Sequence, residues 1–362
     1  MRLETLQAAN TIIVNVLAAS PLFRQHNIDG VVHSSSDGQK FEVDRDTVNA
    51  RYSPKYFGMG KGVVAATLVI NGVPVNARLI SAHDHESHWV FDVLYNNPTD
   101  IQPEIHSTDT HGTNQVNFGL LHVFGHRFAP RYADLPEKMR TSLYGFQHPS
   151  QYGADALFRP VRKLNTDLIV RQWDALQRVF VFLARKTTSQ SILISKLSSA
   201  KRRNPMLQAL WEYDAIHASS YHLEYVDSPP LRRNVHMALN RGEQYHQLKR
   251  AIAHANGGKL RFVTEEEQEI WNEACRLLIN AMLYYNLTLL ERAIAAKEAA
   301  GDTAGAAWLR TISPVAWHHV NFYGTFTFQD EPLAPPIDDS IAAGLRYRHQ
   351  QPASHEAEEV VV

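Results

Sequence analysis

Two apolar runs, residues 63–70 (VVAATLVI) and 73–80 (VPVNARLI), stand one dipeptide apart, and the dipeptide is Asn71-Gly72. Both residues tolerate the positive φ of a two-residue turn, so the runs are expected to pair as a β-hairpin. A hairpin this apolar needs partners on both faces. Shorter strand-like stretches are read at 30–33, 103–106 and 127–129, with helical spacing at 88–94 and 114–124 between them. The resulting order, β-β-β-α-β-α-β, predicts a mixed sheet flanked by helices, a fold of the α/β class. Residues 3–24 carry apolar side chains at helical spacing, and this opening helix is expected to end around Ser20-Pro21.

From about residue 135 the pattern turns almost wholly helical, over 165–184, 189–197, 206–221, 230–255 and 265–300, so the sheet is expected in the first part alone. A basic, polar loop (KLSSAKRRNP, 196–205) interrupts these helices, and 332–362 reads as a disordered tail rich in proline, histidine and acid.

With 36 Lys and Arg against 37 Asp and Glu, the formal net charge is −1, and overall charge gives no argument for nucleic acid. DNA contacts would have to come from local basic patches. Cys275 is the only cysteine, which excludes an intramolecular disulfide and a multi-cysteine zinc site and fits a reducing compartment. The most apolar N-terminal run, 11–19, is too short to span a bilayer and follows acidic Glu4, so a cytoplasmic protein is expected.

Three carboxylates stand out by position. Asp37 in SSSDGQKF (34–41) follows the first expected strand, where small residues let the backbone turn; taken alone it also reads as an Asp-Gly turn. Asp109 in STDTHG (107–112) follows the fourth strand and precedes a helix, a position that also suits a helix cap. Glu243 lies in ALNRGEQYHQLKRAI (238–252), a helix whose buried face is marked by Leu248 and Ile252. Two carboxylates on neighbouring strand ends and a third on a later helix suit a two-magnesium site for phosphoryl transfer.

SSSDGQKF, YFGMGKG (56–62), HESHWVFDVLYNN (85–97), STDTHG and LNRGEQYHQLKRAI resemble, in this order, the catalytic half of the Tn-three family of replicative transposases. The resemblance continues through NTDLIVRQWDALQRV (165–179) and ISPVAWHHVNFYGTFTF (312–328) and covers nearly the whole chain except the tail. It implies a ribonuclease-H-like mixed sheet with a large helical insertion before the catalytic glutamate. It also implies a triad of Asp37, Asp109 and Glu243 holding two Mg²⁺ ions, with Mn²⁺ as a substitute. The interval from Asp109 to Glu243 is nearly twice that from Asp37 to Asp109, which agrees with an insertion. The expected divisions are an N-terminal helix (1–28), the first part of the core (29–134), the helical insertion (135–229), the helical part of the core (230–331) and the tail (332–362).

The implied activity is nicking of transposon inverted-repeat ends to free a 3′ hydroxyl, and transfer of that hydroxyl into target DNA by a replicative, cointegrate-forming route. The implied partners are DNA and a second copy of the chain, in a bacterial cell. Family members are much longer and carry extensive N-terminal DNA-binding domains, so the chain is expected to be a fragment, a truncated copy or a partner-dependent form. Lys55, Lys61, Lys201, Arg202, Arg203 and Arg241 are candidate phosphate contacts, with Arg241, two residues from Glu243, foremost and facing the scissile phosphate only if the helix starts later; each also reads as a solvated surface charge. His246, three residues after Glu243, is a candidate for supporting a metal-bound water. His318 and His319, near Phe322, Tyr323, Phe326 and Phe328, read either as a stacking platform for a base or as core.

Two rivals remain. HDHESH (83–88) superficially resembles the zinc motif of metallo-hydrolases, but Ser87 stands where that motif needs aspartate. A truncated transposase could also bind DNA without cutting it and so act as a regulator.

Overall fold

The computed structural model describes residues 2–153, 155–187, 190–199 and 204–325. Lys201, Arg202, Arg203, Phe326, Phe328 and the expected tail lie outside the described residues.

The chain opens with α1 (Leu3–Ala19) and α2 (Pro21–Gln25), separated at Ser20, whose hydroxyl caps the second helix. β1 (His33–Val43) follows, then β2 (Arg51–Tyr52), α3 (Pro54–Phe57), β3 (Lys61–Ile70) and β4 (Val73–Ser81). Asn71 (φ 52°) and Gly72 (φ 84°) make the expected turn of the β3–β4 hairpin. Next come α4 (Val90–Tyr95), β5 (Ile105–Ser107), α5 (Asn117–Val123) and β6 (Arg127–Phe128). The strands form one mixed sheet in the order β2-β3-β1-β5-β6, with β4 on β3.

β1 is the central strand, antiparallel to β3 and parallel to β5. It is longer than sequence reading expects, and Asp37 sits mid-strand opposite Thr67, not in a turn after it. The SSSDGQ stretch is poor in strand formers, but β3 pairs with all of it and β5 with Ser34 and Ser35, and pairing overrides propensity.

The helical half comprises α6 (Leu135–Ser142), α7 (Thr166–Arg171), α8 (Trp173–Ala184), α9 (Gln190–Ser199), α10 (Pro205–Asp227), α11 (Pro229–Ala255), α12 (Glu265–Ala299) and α13 (Thr303–Leu309). It is not free of strands. β7 (Tyr144–Gly145) pairs with β8 (Arg162–Lys163), and β9 (Lys259–Leu260) joins the main sheet parallel to the end of β1. Two-residue strands carry no period to detect. The expected 196–205 loop is also shorter at its start, because α9 runs through Ser199.

α11 crosses β1, and α12, opened by a capping box of Thr264 and Glu267, packs against α1 and β4. α4 packs on β3 and β4, and α10 lies against α5, where buried Asp214 accepts the Gly119 amide at 2.9 Å. The main apolar cluster runs from Val14 and Leu17 through Val69, Phe91 and Leu121 to Leu210 and Leu283, joining sheet and helices, and a smaller one gathers Phe41, Val63, Leu79 and Leu260. Cys275 is buried in α12. Among the described residues no helix is long and apolar enough to cross a membrane.

Candidate metal centre

Side chains alternate along β1, and the alternation divides its labour. Ser34 and Ser36 point to one face and grip the two ring nitrogens of fully buried His106, at 2.8 and 3.0 Å. Ser35, Asp37 and Gln39 point to the other, toward α11. Ser35 donates to the Ala238 carbonyl at 2.9 Å, and the Gln39 amide donates to the His246 carbonyl at 2.9 Å. These bonds fix α11 along the strand. Gly242 makes the approach close, since a Cβ there would lie 3.2 Å from the Ser35 hydroxyl.

The β5 pairing with β1 ends at Ser35 and Ser107, just before Asp37. Its side chain remains 41% exposed. Beyond β5, Asp109 begins a 3-10 turn and accepts from the amides of His111 and Gly112, at 2.8 and 3.3 Å. The cap reading of Asp109 is therefore correct, and Asp109 also shares a small pocket with Asp37 and Glu86. Glu86 was not expected. Its carboxylate lies over Gly38, where a Cβ would come within 2.6 Å of Oε1, and Lys40 approaches it at 3.3 Å. Its place within the family-like stretch HESHWVFDVLYNN (85–97) is the one available signal.

On the α11 side, one donor atom from each of Asp37, Glu243 and His246 falls within 4.8 Å of the others, the one such group of three or more among the described residues. Glu243 is exposed, with Arg250 4.0 Å away. His246 is buried, with Nδ1 3.7 Å from Asp37 Oδ2 and Nε2 lacking any hydrogen-bond partner. Asp37 thus stands between Asp109 and Glu86 on one flank and Glu243 and His246 on the other.

Burial first, and then the negative charge of Glu86 and of Asp109, push the Asp37 carboxyl up to about 7; the Gly38 amide and Lys40 oppose this. Desolvation, with Lys249 and Arg250 nearby, holds His246 down to about 3, so its ring is neutral at physiological pH. A carboxyl kept protonated by burial first, and then by neighbouring carboxylates, carries a charge that a divalent cation would stabilise. The donor set is mainly carboxylate oxygen, which suits Mg²⁺ and Mn²⁺.

A family model described as "Tn3 transposase DDE domain" matches residues 1–326. The chain belongs to this family. Curated relatives include the transposases for transposon Tn3926 from Escherichia coli (31% identical) and for Tn501 from Pseudomonas aeruginosa (32%). The transposase for transposon gamma-delta from Escherichia coli strain K12 is 30% identical. Each alignment covers 91% of this chain but 32–33% of the relative, so the chain spans about a third of their length. DDE transposases are in general dependent on divalent metal.

The expected phosphate contacts fare differently. Lys55 is exposed beside the Tyr56 ring, and Lys61 is paired with Asp46 at 2.5 Å. Arg241 turns away from the metal centre: its guanidinium donates to the His26 carbonyl at 2.6 Å and to Asn71 Oδ1 at 2.8 Å. The reason is helical phase, because α11 begins well before residue 241 and puts it about 200° round from Glu243. In HDHESH, His83 bonds the Tyr52 carbonyl and His85 bonds Ser87, and none of these histidines joins a metal-holding group among the described residues. His318 stacks on Trp317 and Phe322 packs against the core.

Proposed function

We propose that this chain is the catalytic domain for DNA transposition, with Asp37, Asp109 and Glu243 as its metal-holding carboxylates. The observation that carries the proposal is the position of Asp37, within reach of the charge of Asp109 on one flank and with a carboxylate oxygen within 4.8 Å of one of Glu243 on the other. Family membership supplies the reaction class.

Two Mg²⁺ ions, or Mn²⁺ in their place, would supply Lewis acidity and an activated oxygen nucleophile when bound. The residues prepare for that. Asp37 is fixed by the strand and releases its proton near neutral pH, and Asp109 is immobilised by its own turn. Glu243 rides on a helix docked to β1. Glu86 adds a fourth carboxylate that Lys40 partly balances, and His246 supports Asp37 from the buried side. The substrate is a phosphodiester at a transposon inverted-repeat end, and the freed 3′ hydroxyl is joined to target DNA at the same site. We further assign the chain to the replicative, cointegrate-forming route, to a homodimer that synapses two ends, and to 135–229 as an insertion domain.

Nicking of labelled transposon-end DNA with Mg²⁺ or Mn²⁺ tests this. Asp37→Ala, Asp109→Ala and Glu243→Ala are each expected to abolish cleavage while leaving the chain folded. Cleavage retained by any one of them removes that residue from the site, and a wild-type chain that binds DNA but never cuts it supports the regulatory alternative.

A further inference from the structure

A second pocket, of about 740 Å³, opens beside α11 away from the carboxylates. Arg232, Arg233, Arg241, His26 and His236 line it, and no aspartate or glutamate does. The α11 residues that line it, including 233, 236, 237, 240, 241 and 244, recur at three- and four-residue spacing and so form one stripe of the helix. Thr311, Ser313 and Pro314 close its far side.

Among the described residues no carboxylate lines the pocket to balance these cations. Arg241 spends one nitrogen on the His26 carbonyl and Asn71, both neutral acceptors, and its other terminal nitrogen meets only the Met237 sulfur at 3.8 Å. Arg232 donates to the carbonyls of Tyr225 and Val226, both at 2.6 Å. Arg233 is exposed and makes no hydrogen bond or ion pair among the described residues. His26 has a buried Nε2 with no partner. Three guanidinium groups gathered without a carboxylate create a strongly positive, concave site, and the planar fork of arginine matches the oxygens of phosphate.

We infer that this pocket holds a backbone phosphate of the DNA, distinct from the phosphate that is cut. The inference rests on the function proposed above. Arg233 stands ten residues before Glu243 on α11, about 15 Å along the axis at 1.5 Å per residue. That separation exceeds the roughly 3.4 Å by which successive phosphates of one strand advance along the duplex, so Arg233 reaches a phosphate other than the one at the metal centre. One helix then carries a catalytic carboxylate on one face and an anchor for the flanking strand on another, which fixes the register of the cut.

The test is binding of a short labelled duplex to the full chain in EDTA, by fluorescence anisotropy across a salt series, where no cleavage occurs. Loss of one phosphate contact lowers the slope of log K against log salt by about 0.9. Arg233→Ala is expected to bind more weakly with that smaller slope, and Arg233→Lys to restore the slope. Arg233 is exposed, so neither change threatens the fold. Equal affinity and slope for wild type and Arg233→Ala overturn the inference. So does stabilisation of wild type but not Arg233→Ala by inorganic phosphate with DNA binding unchanged, which makes the pocket a free-anion site. A wild-type chain that does not bind DNA overturns the parent reading, and this one with it. Intact binding with no metal-dependent cleavage overturns only the catalytic assignment.

Discussion

Oδ2 of Asp37 lies 3.7 Å from Nδ1 of His246, yet the two are not an ion pair. Burial keeps the imidazole neutral to about 3, and burial with Glu86 and Asp109 keeps the carboxyl protonated to about 7. Between roughly pH 4 and 7 the folded chain therefore holds a proton that an unfolded Asp has released. This stabilising contribution is present at low pH and lost as pH rises through 7. Asp37→Asn removes the desolvated, repelled charge without removing the packing, so the metal-free variant is expected to melt above wild type at pH 8. The gap should close toward pH 5, and calorimetry at the two pH values checks both halves.

Metal binding should displace that same proton. Mn²⁺ or Mg²⁺ at 100 times its dissociation constant stabilises a folded chain by about 2.7 kcal/mol, and less where a proton must first be removed. The rise in melting temperature on adding Mn²⁺ is expected to be larger at pH 8 than at pH 6, and to vanish with EDTA. A shift independent of pH would contradict the account.

His106 clamps β1 to the strand that leads to Asp109, through Ser34 and Ser36. Its ring is held down to about 3, by burial first and then by His126 and His33. The unfolded chain takes up a proton below about pH 6.5 that the folded chain refuses, so the His106 contribution is present above 6.5 and lost as pH falls toward 3. His106→Gln is expected to cost about 1–3 kcal/mol at pH 7 through its unsatisfied partners. Between pH 6 and 4 its urea stability should fall less steeply than that of wild type, by about 1.4 kcal/mol per pH unit.

Arg276, 1% exposed, ties α12 to the sheet. It pairs with buried Glu273 at 2.5 Å and donates to the Val75 carbonyl at 2.9 Å, while Asn10 of α1 donates to the same Glu273 carboxylate. Arg276→Met strands that carboxylate, and a loss of about 3–5 kcal/mol is expected in urea unfolding. A loss below about 1 kcal/mol would contradict the assignment of a joint between α1, α12 and β4.

The hairpin was legible because Asn71-Gly72 sets a turn that nothing else suits, and the long helices because their periods persist over many residues. β1 was not, because its extended form is imposed by β3 and β5 and not by SSSDGQ itself. Asp37, Asp109 and Glu243 were found through short motifs in a fixed order. Glu86 has no local signal of its own, because its place over the missing Cβ of Gly38 and its pairing with Lys40, 46 residues away in the chain, arise only in the fold. Arg241 would face the scissile phosphate only on a helix that starts later; α11 begins at Pro229, and the 100° step per residue turns Arg241 away from Glu243.

The central claim is that Asp37, Asp109 and Glu243 belong to one metal site centred on Asp37. Mn²⁺ titration followed by electron paramagnetic resonance of the free ion, at pH 8, measures it directly for wild type, Asp37→Asn, Asp109→Asn and Glu243→Gln. The account expects saturable Mn²⁺ binding by wild type, at least tenfold weaker binding by Asp109→Asn and Glu243→Gln, and none by Asp37→Asn. Wild-type affinity in Asp37→Asn would contradict it.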